Sequence, residues 1–148
     1  MTDPIRLLHF ADLHIGMENY GRLDPESGLN RRVADFLERL DTVVAYAIDH
    51  AADVVLFAGD AFRTRNPNPT HQREFAQRIH RLSRAEIPTV LLVGNHDVPV
   101  REQRASSIEI FATLDVPYVT VAARPDLLRL ETRHGPLQLA TIPYPMRQ

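Results

Sequence analysis

Three short apolar runs in this sequence each break off into side chains that bind metals or move protons, and this punctuation restricts the fold more than any other feature. Residues 5–11 lead into Asp12-Leu13-His14, residues 54–58 into Gly59-Asp60, and residues 90–93 into Gly94-Asn95-His96-Asp97. Apolar runs of this length, bounded by glycine and polar residues, read as buried strands. In an open α/β sheet, ligands collect outside the carboxyl ends of parallel strands. Three such endings on neighbouring strands therefore bring Asp12, His14, Asp60, Asn95 and His96 into one small volume.

The intervening segments fit that arrangement. Between the first two runs, Val33, Phe36, Leu37, Leu40, Val43, Val44, Ala47 and Ile48 recur at three- and four-residue steps, which predicts a helix over 29–50 with one buried stripe. Strand, long helix, strand is a βαβ unit, so the second strand should run parallel to the first. A second helix is predicted over 70–84 with Thr70 as N-cap and Phe75, Ile79 and Leu82 facing inward. Pro88 opens the third strand, and a weaker helical signal covers 107–114. Past Tyr118 the pattern changes to short β segments over 118–121, 127–132 and 137–142, the last two joined by a turn at His134-Gly135-Pro136.

At 148 residues with 44% hydrophobic and 24% charged side chains, the chain has the length and composition of one soluble globular domain, spanning 1–148. No apolar run approaches the ~20 residues of a membrane span, and Met1-Thr2-Asp3-Pro4 has neither the basic nor the apolar region of a signal peptide; a cytoplasmic protein is expected. The absence of cysteine excludes disulfides, zinc–thiolate sites and cysteine nucleophiles. Net charge is −2, so any attraction for nucleic acid must be local. All 17 basic residues are arginine, a bias best explained by coding composition.

Two divalent ions about 3.5–4 Å apart can hold a phosphate ester and activate a water against it. Such a site needs a shared anionic ligand together with imidazole, carboxylate and amide groups. Asp60 is the natural bridge, Asp12 and His14 suit one ion, and Asn95 the other. An oxygen-rich set without thiolate favours manganese, though iron and zinc also fit. His96 is better read as the acid at the leaving oxygen than as another ligand, with Asp97 orienting and tuning it. Arg63 and Arg65, directly after Asp60, are candidates for contact with the phosphates of a substrate, as more weakly are Tyr20 and Arg22. His9 reads as a structural strand residue, and His50, His71 and His80 as surface residues.

Asp12-x-His14, Gly59-Asp60 and Gly94-Asn95-His96-Asp97, in this order and each after a strand, resemble the calcineurin-like metallophosphoesterases. The longer strings His9-Phe10-Ala11-Asp12-Leu13-His14-Ile15-Gly16 and Phe57-Ala58-Gly59-Asp60-Ala61-Phe62 are similar to the SbcD branch of double-strand-break repair nucleases. The resemblance runs from about residue 5 to 145. It implies a metallophosphoesterase-type βαβ sandwich and a manganese-dependent nuclease subunit that trims DNA ends and cuts single strands or hairpins, typically as a homodimer working with an SMC-like ATPase of the SbcC type. It also implies that Asp12 and His14 ligate one metal, Asp60 bridges, Asn95 ligates the other and His96 is the catalytic histidine.

The family supplies further ligands from histidines in later Gly-His and Gly-His-x-His motifs, which this sequence does not contain. The expectation is therefore that the carboxy-terminal part of the fold is missing, that metal at the second position is weak or absent, and that activity is low. His134 precedes a glycine and does not replace those ligands. Two alternatives remain: a phosphoesterase acting on small phosphoesters, and a non-catalytic assembly module.

Overall fold

The structure is a computed structural model that describes residues 3–17, 21–26, 28–98 and 104–145. Four short strands, β1 (Leu7–Phe10), β2 (Val54–Phe57), β3 (Thr89–Leu92) and β4 (Val119–Ala122), form one parallel sheet in the order β1-β2-β3-β4. The crossovers carry α1 (Arg31–Asp49), α2 (Pro69–Arg84) and a single-turn α3 (Ile110–Thr113). Right-handed crossovers in a sheet that adds strands in one direction put all their helices on one face. Consistent with this, α1 and α2 pack against each other, tied by Arg78 to Asp41 at 2.6 Å and Arg81 to Asp41 at 2.6 Å.

The helix stripes expected from spacing are the buried ones: Val33, Leu37, Leu40, Val44 and Ala47 on α1, and Phe75, Ile79 and Leu82 on α2. Phe75 lies at the centre of the core, its ring 5.7 Å from Phe57, 5.5 Å from Phe62 and 5.8 Å from Phe111. Val54 and Val90, which alternate with core-facing Val55 and Leu91, are buried as well. Burial on both faces explains why β2 and β3 read as unbroken apolar runs. β1, at the sheet edge, alternates, with Leu8 and Phe10 packed on the core and Leu7 and His9 exposed.

Several boundaries differ from the sequence expectation. The N-cap of α2 is Asn68, whose side chain accepts the His71 N–H at 2.9 Å, with Pro69 at the first helical position; Thr70 lies inside the helix. The weak 107–114 signal yields only the one turn of α3. Tyr118 has φ 62 and stands outside β4. β5 (Asp126–Thr132) and β6 (Gly135–Thr141) form the expected antiparallel hairpin, but Thr132 pairs with Gly135, so the turn is Arg133-His134.

All three crossover helices end alike. The N–H of Ala52 donates to Ala47, of Ile87 to Leu82 and of Val116 to Phe111, while the residue just before each donor, Ala51, Glu86 or Asp115, is left-handed with φ 50, 56 or 48. This is a Schellman stop without the glycine that usually marks it.

The hairpin is anchored at the opposite end of the sheet from the reactive residues. His134 Nδ1 bonds both carboxylate oxygens of buried Asp53 at 2.9 and 2.8 Å, and Asp53 also accepts the Arg6 N–H at 2.8 Å. Burial pushes the Asp53 carboxyl up. The Arg6 N–H, His134 and Arg133 outweigh that and hold it below its ordinary value.

Candidate metal centre

The loops leaving β1 and β2 continue side by side beyond the strands. Asp12 N–H donates to the Gly59 carbonyl at 3.1 Å, His14 to Asp60 at 3.0 Å, Ile15 to Ala61 at 3.0 Å, and Arg63 back to Ile15 at 3.1 Å. Three non-glycine residues in these loops take left-handed backbone: Asp12 (φ 57), His14 (φ 45) and Asp60 (φ 62). Such conformations cost about 1–3 kcal/mol each and cluster at functional sites.

The β3 exit closes against this pair through two glycines. A Cβ on Gly59, whose φ is 100, would lie 2.6 Å from the Gly94 Cα, and a Cβ on Gly94 would run into the Asp60 carboxylate and backbone nitrogen. Only glycine permits the two loops to approach this closely.

Asp60, 7% exposed, sits at the centre. Its Oδ1 accepts the His96 backbone N–H at 2.9 Å, and its Oδ2 is 3.9 Å from His14 Nε2. His14 Nε2 is also 3.6 Å from Oδ1 of Asp12, whose side chain is largely exposed. The terminal amide of Asn95 comes within 3.2 and 2.9 Å of the two Asp60 oxygens. With its nitrogen turned inward, Asn95 donates to both. With its oxygen inward, three acceptor oxygens converge, an arrangement that a cation reconciles. This convergence, with the imidazole and second carboxylate alongside and no thiolate, fits a divalent ion. The structure thus brings Asp12, His14, Asp60 and Asn95 together.

His96 stands at the same place. Its ring is edge-on to His14 with centroids 4.9 Å apart, and His14, Asp60 and His96 each offer a ligand atom within 4.8 Å of the others. Its Nδ1 lies 2.9 Å from the Arg63 carbonyl. A carbonyl only accepts, so Nδ1 carries a proton, and Nε2 is left to accept or release one.

Asp97 does not orient His96 as expected; the Arg63 carbonyl does. The Asp97 side chain is fully buried and accepts from the backbone N–H groups of Asp60 (2.7 Å), Gly94 (3.0 Å) and Ala61 (3.2 Å) and from the Ser107 hydroxyl (3.1 Å). Burial pushes its carboxyl above the ordinary value, the Gly94 and Asp60 N–H groups and Ser107 pull it down, and the nearby Asp60 charge raises it.

Arg63 and Arg65 are exposed, and the Arg63 carbonyl reaches the site at His96. Arg22 is exposed at the approach to α1, its carbonyl accepting the Arg31 N–H at 2.9 Å. Tyr20 lies outside the described residues. His71, expected on the surface, is 7% exposed and packs so close to the site loop that a Cβ on Gly16 would sit 2.9 Å from its Nδ1. Neither the Arg63 carbonyl nor Ser107 carries a sequence signal for its role.

Carboxylate, imidazole and amide groups gathered at the carboxyl ends of parallel strands form a candidate site for divalent metal. The chain belongs to the calcineurin-like phosphoesterases, whose family model matches residues 5–142. Among curated proteins it is 39% identical over 105 residues to the SbcD component of the nuclease SbcCD of Bacillus subtilis, covering 70% of this chain and 25% of that protein. It is 37% identical over 97 residues to "DNA double-strand break repair protein Mre11" of Methanosarcina acetivorans, covering 66% and 15%. The protein of the same description from Aeropyrum pernix is 29% identical over 143 residues, covering 94% and 32%. The chain thus spans about a third or less of the length of these relatives. No helix among the described residues is long and apolar enough to cross a membrane.

Proposed function

We propose that this chain carries the metal-binding, phosphodiester-hydrolysing centre of a cytoplasmic DNA-processing nuclease, with manganese as its metal. The observation that carries this reading is the convergence of the Asn95 amide and the His14 imidazole on the buried Asp60 carboxylate. The names of its relatives, a nuclease component and double-strand-break repair proteins, support DNA as substrate.

Asp12, His14 and Asp60 would hold one ion, and Asp60 with Asn95 the other. Divalent ions supply an activated water and offset charge on the phosphate and leaving oxygen. His96, its Nδ1 proton held by the Arg63 carbonyl, moves a proton at Nε2 and serves as the acid for the leaving oxygen. Arg63 and Arg65 supply charge to the DNA backbone, with Arg22 as a further cationic candidate and Tyr20 as a hydroxyl donor to a phosphate oxygen. With Asp60 and Asn95 as its only assigned ligands, the second position binds its ion more weakly than the first.

A homodimer belongs to this reading. Exposed Ile110 and Leu114 line a mostly apolar cleft of about 420 Å³ with Phe62, Ala76 and Phe111 between α2 and α3, suited to a second copy. An SMC-like ATPase of the SbcC type is the proposed partner.

The test is calorimetric titration with Mn²⁺, followed by cleavage assays on hairpin DNA, duplex ends and a small phosphodiester. One tight and one weak site, with DNA preferred, is expected. No Mn²⁺ binding would overturn the proposal, and preference for the small ester would move the substrate away from DNA.

A further inference from the structure

We infer that Asp97 is a positioning residue that sets the place of Asp60 through the main chain. This rests on the metal-centre reading above and assigns a device that the ligand set alone does not contain. Four donors from three separate segments converge on the one carboxylate: Asp60 and Ala61 from the β2 exit, Gly94 from the β3 exit, and the Ser107 hydroxyl from the segment leading to α3. Ser107 returns a second link, its backbone N–H donating to the Asp97 carbonyl at 3.2 Å. No hydrogen bond joins Asp97 to His96 among the described residues.

The placement matters because Asp60 is left-handed, at φ 62, and its carboxylate is where His14, Asn95 and the His96 N–H meet. The N–H of that same residue is held at 2.7 Å by Asp97 Oδ2, which also holds the Gly94 N–H at 3.0 Å. One oxygen therefore ties the β2 exit to the β3 exit at Asp60 and Gly94, where a Cβ on Gly94 would run into the Asp60 backbone nitrogen. Removing it frees Asp60 to relax toward ordinary backbone and turn its carboxylate away. Ser107 is the gauge of this device: losing its hydroxyl leaves the Asp97 charge in place and removes one of four bonds. The partners of metal ligands typically change affinity about 10–100-fold when lost.

The test uses Asp97→Asn, which keeps the shape but turns an NH₂ toward donors, and Ser107→Ala. Amide hydrogen exchange is measured without metal at Asp60, Ala61 and Gly94, with Val55 and Leu91 as sheet controls, and Mn²⁺ affinity is measured by calorimetry. For Asp97→Asn, exchange at Asp60 and Ala61 should quicken at least about tenfold with the controls unchanged, and Mn²⁺ affinity should fall about 10–100-fold. For Ser107→Ala both effects should keep their direction and be severalfold smaller. A purely structural role would quicken exchange throughout the sheet and lower the melting temperature together with affinity. Unchanged exchange at Asp60, or Mn²⁺ affinity within about twofold of wild type, would overturn the inference. Failure of the wild-type chain to bind Mn²⁺ removes the metal reading by itself, and the exchange measurement then still decides whether Asp97 holds Asp60.

Discussion

His96 turns Nδ1 to the Arg63 carbonyl 2.9 Å away, so the histidine and the arginine backbone form one unit across the β2 and β3 exits. The bond fixes the tautomer and leaves Nε2 to act on substrate. His96→Ala should retain Mn²⁺ binding within a few-fold while lowering the rate on a chromogenic phosphodiester by about 10²–10⁴. If Mn²⁺ binding disappears with the ring, His96 is a ligand, in keeping with its place beside His14 and Asp60.

Gly94→Ala places a methyl group against the Asp60 carboxylate and backbone nitrogen. Overpacking of this kind costs about 1–3 kcal/mol, and the bridging carboxylate must shift to accommodate it. The expected result is a lower denaturation midpoint and at least tenfold weaker Mn²⁺ binding. Undiminished metal affinity would mean that the two loops are not packed so closely.

Stability at acidic pH should depend on Asp53. Its carboxyl is held below its ordinary value of 3.8, so its ionised form stabilises the folded state above that pH, and the contribution is lost as pH falls through the still lower folded value. Asp53→Asn should therefore lower stability near neutrality by about 1–3 kcal/mol and flatten the acid limb of the stability curve below pH 3.8. Chemical denaturation at pH 7 and in the acid range tests this; parallel curves for wild type and variant would count against the His134–Asp53 anchor.

Glu86, at φ 56 after α2, occupies a position that favours glycine. Glu86→Gly should raise the unfolding free energy by about 0.5–1 kcal/mol, the relief of backbone strain being offset in part by greater freedom of the unfolded chain. A destabilised variant would show that the Glu86 side chain contributes more than its backbone costs.

The strands and the residues gathered at their carboxyl ends are legible in the sequence because their signals are local: an apolar run, then glycine or a carboxylate. Helices α1 and α2 are legible because Val33 to Ala47 and Phe75 to Leu82 keep helical spacing. The helix ends are not, since Ala51, Glu86 and Asp115 stand where glycine usually does, and nothing in an alanine or glutamate announces a left-handed backbone. The role of Asp97 is hidden for a different reason. Its neighbour in the chain is His96, but its partners Asp60 and Ala61 are 37 and 36 positions away and bond through the main chain, which has no residue-specific signature. His71 reads as a surface residue because its neighbours are polar, whereas the β1 exit loop folds over it.

Asp12, His14 and Asp60 all hold a backbone shape that most side chains avoid, and all three are the groups around which an ion would gather. Heat tolerance and reactivity therefore compete at the same positions. Selection for survival at high temperature alone, with no demand for hydrolysis, should accumulate glycine or asparagine at 12, 14 and 60, producing a hardier protein that has lost its ion.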